Sequence, residues 1–133
     1  MVQFEKIHGK IPEGSLVLAH TGWDQFWNSP DQYRNVDALG RMHFPGFSEK
    51  AACFLLERKI VGLGMDTLSP DGSDNGKGAA FAVHKKILGA KKYIIENVAN
   101  LEQMDPVGSF ALALPPRSCG ATESTIRLVG VKL

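Results

Sequence analysis

Long apolar runs are missing from this sequence. None approaches the roughly 18–20 residues that a membrane span requires, which argues against a membrane role. The opening MVQFEKIHGK has no apolar core and no small-residue cleavage site, so no signal peptide is expected. Cysteine is scarce. Cys53 lies in an apolar run, Cys119 lies in a Ser-Cys-Gly loop, and neither belongs to a CxxC pair. Two free thiols in a reducing cytoplasm are the expectation. An excess of one charge is also absent: 15 basic residues against 14 acidic ones leave a net charge of +1. The basic residues are spread along the chain, so no arm or stripe marks nucleic acid as a partner.

What is present fits one globular domain. The chain has 133 residues, 44% of them hydrophobic, enough for a core. After the turn signal PEG, SLVLAH (15–20) reads as a buried strand. Residues 22–46 are irregular, with one short helix around 30–34; a loop of that length is usually functional or covers something. Ser48 is an N-cap for a helix over 49–58, where Ala51, Phe54, Leu55 and Arg58 recur at spacings of three and four. KIVGLGMDT (59–67) reads as a strand ending in an acid, SPDGSDNGKG (69–78) as a polar loop, and 80–88 as a helix stopped by Gly89. Strands are expected at 92–96, 108–115 and 125–133, with a helical turn at 101–104. The order predicts an α/β fold, a mixed sheet with flanking helices.

Few motifs survive a comparison with their bland readings. DGSDNGKG is one residue short of a Walker A loop and no Ser or Thr follows its lysine, so it reads as a solvated connection. It lacks the alternating acids of a calcium loop. VGLGMD has no third glycine opening a helix. Cys53, in AACFLLE, reads as an inert thiol. His8, His20, His43 and His84 form no HxxxH or HExxH pair. His84 stands out through Glu96. A helix rising about 1.5 Å per residue, followed by a strand returning at about 3.3 Å per residue, brings both to one end if the two run antiparallel. Glu96 then lies at the carboxyl end of its strand, where open α/β sheets place ligands. The pair shares either a cation or a hydrogen bond.

Four stretches, in order, resemble the cyclase family of metal-dependent hydrolases, which includes the kynurenine formamidase (arylformamidase) and isatin hydrolase types. PEGSLVLAHTGWDQFW resembles its glycine turn, strand and TGW segment. HFPGFSEKAACFLLERKIVGLGMDT resembles its Pro-Gly, helix and GxDT segment. AVHKKILGAKKYIIENVANLEQM, with a histidine, a leucine-glycine stop and a glutamate before Asn, is similar to its most diagnostic stretch. SFALALPPRSCGATESTIRLVGV resembles its closing strands. The resemblance implies a swivelling β/β/α-type fold, a divalent metal (Zn or Mn) and hydrolysis of a formamide or a cyclic amide. It implies that His84 and Glu96 are metal ligands. It also implies a His-x-Gly-Thr-His-x-Asp motif upstream of the segment matching 12–27. Eleven residues precede Pro12 and none matches, so the chain reads as an N-terminally truncated member with an incomplete ligand set.

Two functions follow as expectations. One is a metal-dependent amide hydrolase whose site is completed by another polypeptide; the other is an inactive paralogue acting as an oligomerising or ligand-binding module. Missing neighbours for strand edges predict a homo-oligomer or a complementing subunit. Trp23 and Trp27 are candidates for contact with a small-molecule amide substrate, or for packing at an interface. Asp66, ending its strand, is expected near the site.

Overall fold

A computed structural model describes residues 1–72 and 81–132. They divide into two compact units, Met1–Leu101 and Glu102–Leu133.

The first unit is built on a parallel sheet of three strands: β1 (Leu16–Ala19), β2 (Gly62–Met65) and β3 (Tyr93–Ile95), in spatial order β1-β2-β3. Parallel neighbours need long crossovers, and helices supply them. After β1 come a 3₁₀ turn (Trp23–Phe26), α2 (Pro30–Arg34) and α3 (Glu49–Glu57); after β2 comes α4 (Ala82–Gly89). α1 (Val2–His8) precedes β1. Register puts Val17, Leu63 and Ile94 in one row across the sheet. Ala52 and Leu55 of α3, Val83 and Ile87 of α4, and Ile11 and Ile60 close on that row. Burying an aliphatic side chain of this size contributes about 1.5–3 kcal/mol, and Leu55, Ile60, Leu63 and Ile87 are all fully buried.

β2 needs its glycines. A Cβ on Gly62 would stand 2.6 Å from the Tyr93 ring, and one on Gly64 2.7 Å from the Ile95 carbonyl oxygen. Ser48 caps α3 as its sequence position predicts, its hydroxyl accepting the Ala51 N–H at 3.2 Å.

The second unit carries an antiparallel ribbon, β4 (Phe110–Leu114) with β5 (Arg127–Val131). Met104 lies where a side chain on Gly130 would go. Phe110, Leu112 and Leu114 alternate along β4 and are all exposed.

The α/β class with flanking helices is therefore as expected. Among the described residues the parallel and antiparallel pairings lie in separate sheets, because only the first three strands are joined through helical crossovers. α1 was not anticipated. It ends at Gly9, whose φ is +83°, and Glu5 ties it to Arg58 at the end of α3 with bonds of 2.7 and 2.9 Å. Most of the DGSDNGKG loop, residues 73–78, lies outside the described residues, as do the expected helix's first residue, Ala80, and the last residue of the expected final strand, Leu133. No helix among the described residues is long and apolar enough to cross a membrane.

Candidate functional site

The three parallel strands each deliver a titratable residue at the same edge. His20 follows β1, Asp66 follows β2 and Glu96 follows β3. This is the carboxyl edge, where successive strand ends leave a crevice.

Asp66 is fully buried. Its Oδ2 accepts the backbone N–H groups of Thr21 at 2.8 Å and Trp23 at 3.0 Å, and its Oδ1 accepts the Thr21 hydroxyl at 2.7 Å. A buried carboxylate needs such donors. They fasten the Thr21-Gly22-Trp23 turn, with Gly22 at φ +75°, to the end of β2.

Tyr33, 4% exposed, lies beside it. Its hydroxyl is 3.0 Å from the Asp66 carbonyl oxygen and 2.9 Å from Asn97 Oδ1. Burial, reinforced by the negative charges of Asp66, Asp24 and Glu96, pushes the phenol up to about 12, so it stays a donor.

At the far side of this edge stand His84 and Glu96. Their Nε2 and Oε1 atoms are 3.5 Å apart. The pair therefore meets as the spacing predicts. His84 Nδ1 is 2.5 Å from Asp71 Oδ2. The same carboxylate accepts the N–H of Val83 at 2.7 Å and of His84 at 3.2 Å. The Phe81 ring stands edge-on to the imidazole, centroids 5.7 Å apart. Phe81 has φ +43°, a strained value for a bulky residue.

Two groups could hold a cation. Donor atoms of His20, Asp24 and Asp66 lie within 4.8 Å of one another, but both oxygens of Asp66 already serve the Thr21–Trp23 turn. His84 and Glu96 form a pair with matched donors. Two ligands at about 2.0–2.2 Å from one zinc, at the tetrahedral angle, stand roughly 3.4 Å apart, close to the 3.5 Å found. At 3.5 Å a direct hydrogen bond between them would be weak.

Trp23 has both its N–H groups engaged, the backbone one with Asp66 and the indole one donating to the Tyr33 carbonyl at 2.9 Å. Trp27 is 59% exposed and stands edge-on to the Tyr33 ring, centroids 5.3 Å apart. The sequence reading did not single out Asp71, Tyr33, Thr21 or Asn97. Asp71 sat in a stretch that looked like solvated connection; its only signal was an acid following a proline, ahead of a helix lacking a side-chain cap.

The family described as "Putative cyclase" matches residues 1–72, more than half of the chain. The chain belongs to the cyclase family. An isatin hydrolase of Roseibium aggregatum is 30% identical over 129 residues, which cover 96% of this chain and 49% of that protein. Isatin hydrolase A from Ralstonia solanacearum superposes with a TM-score of 0.93 at 29% identity, covering 99% of this chain and 51% of that one. A crystal structure of an isatin hydrolase bound to the product analogue thioisatinate superposes with a TM-score of 0.92 at 27% identity, covering 98% and 50%. The chain thus spans about half the length of these relatives.

Proposed function

We propose that this cyclase-family chain carries part of the site of a metal-dependent amide hydrolase, acting on a formamide or on a cyclic aryl amide of the isatin kind. The observation that carries the reading is the 3.5 Å approach of His84 Nε2 to Glu96 Oε1 at the carboxyl edge of the parallel sheet. His84 and Glu96 would hold a divalent cation, zinc or manganese. When bound, the cation would polarise the amide carbonyl and acidify a water.

The chain's own groups set the surroundings. Asp71 orients His84, and Tyr33, locked as a donor, joins Asp66 to Asn97 behind the edge. Trp27 offers an exposed aromatic face for an aryl ring, while Trp23 holds Tyr33 in place. Two ligands fall short of the three protein ligands of a catalytic zinc site. The other donors would come from the half of the relatives that this chain does not span. Cys53 and Cys119 are free thiols, in keeping with a cytoplasmic setting.

The test is the ring opening of isatin by the zinc- or manganese-loaded chain, alone and mixed with a polypeptide bearing the histidine motif. Turnover that requires metal and falls at least about tenfold in Glu96→Ala supports the reading. Absence of turnover in every combination contradicts it and favours the alternative, a non-catalytic binding module, which the two-ligand count also suits.

A further inference from the structure

We infer that Asp71 is a positioning residue that fixes His84 in the tautomer with its proton on Nδ1, so that the Nε2 lone pair faces Glu96. What that lone pair binds rests on the proposed metal pair; the tautomer itself does not.

An ionised carboxylate accepts hydrogen bonds and donates none, whereas a neutral imidazole has one nitrogen of each kind. Asp71 Oδ2 is 2.5 Å from His84 Nδ1, so the proton in that contact belongs to the ring. Nε2 is then the acceptor, and it points at Glu96 Oε1 from 3.5 Å.

Asp71 is built to do this. Its two oxygens also take the N–H groups of Val83 and His84, so one carboxylate sets both the start of α4 and the ring of its third residue. The carboxylate rests on a fixed stub. The Asp71 N–H reaches the Ser69 hydroxyl at 3.3 Å, and the Phe47 N–H donates to the Pro70 carbonyl at 2.7 Å. Pro70 is fully buried. Gly46 packs so closely on the Gly72 backbone that no Cβ fits there. The side chains of Asp71 and His84 are 16% and 27% exposed, so water competes weakly for the Nδ1 proton. A histidine that binds metal through one nitrogen commonly donates the other N–H to a carboxylate, and losing that partner weakens binding about 10- to 100-fold.

Long-range ¹H–¹⁵N correlation spectra of the metal-free chain, with the ring neutral, read the tautomer directly. The expected result is a protonated-type Nδ1 and an unprotonated-type Nε2 for His84, changing to an averaged pair in Asp71→Asn. Zinc titration of the same two chains should show affinity at least about tenfold weaker in the variant. An averaged or Nε2–H ring in the unsubstituted chain overturns the inference, whatever the variant does to folding. So does a variant that folds and keeps both the tautomer and the zinc affinity. If the tautomer responds to Asp71→Asn but neither chain binds zinc, the positioning role stands and the metal-dependent reading fails.

Discussion

At the scale of single residues, the candidate site depends on polar groups that are buried and paired. Tyr33 has one hydroxyl proton and two acceptors within 3.0 Å, the Asp66 carbonyl and Asn97 Oδ1. Removing the hydroxyl leaves acceptors from two strand ends without their donor. Tyr33→Phe should therefore cost about 1–3 kcal/mol of stability, read from urea unfolding. A loss under about 0.5 kcal/mol, typical of a surface change, would mean that the hydroxyl does not tie the strand ends together. The approach of His84 to Glu96 was legible in the sequence, because helix rise and strand rise bring them to one end; their role as metal ligands came only from the family resemblance. Asp71 was not legible there. Its partners are the N–H groups and ring of a helix more than ten residues ahead, and no local periodicity announces such a contact.

Among the elements, the helices and strands followed their sequence signals closely wherever a cap or a stop was written into the chain. Ser48 opened α3 and the short helix at 30–34 was found as α2, whereas Gly89, expected to stop α4, is its last helical residue and the cap falls at Ala90. α1 escaped because its stability comes from outside it. Its own seven residues bury none of their number, and Glu5 anchors it through Arg58 and the Ile11 N–H. The Arg58 guanidinium bonded to Glu5 lowers that carboxyl from its usual 4.5 to about 2. A depressed carboxyl contributes stability that is complete above its unfolded value and is lost as pH falls toward the folded one. The chain should thus lose melting temperature between about pH 4.5 and pH 2 through this group. In Glu5→Gln that component is missing, so the melting curves of the two chains should converge as pH falls through the window. A gap that stays constant with pH would show that the Glu5–Arg58 pair does not anchor α1.

For the whole molecule, the governing fact is that a cyclase-family fold is present over about half the length of its relatives. Among the described residues, β1 and β3 pair only with β2, which leaves an outer edge on each. Phe110, Leu112 and Leu114 are each more than half exposed. Unpaired edges and exposed apolar strands favour association. Sedimentation should therefore give a mass of at least two chains. A single-chain mass would contradict the assembly proposed here. The sequence showed the α/β order but not that the antiparallel strands form their own ribbon, since pairing across distant segments is set by tertiary packing rather than by local pattern.

The central claim is that His84 and Glu96 share a divalent cation. Calorimetric titration of the metal-stripped chain with zinc, beside Glu96→Ala, tests it most directly. The account predicts micromolar or tighter binding, corresponding to about −8 kcal/mol or better, that disappears in the variant. Equal binding in both chains, or none in either, would contradict it.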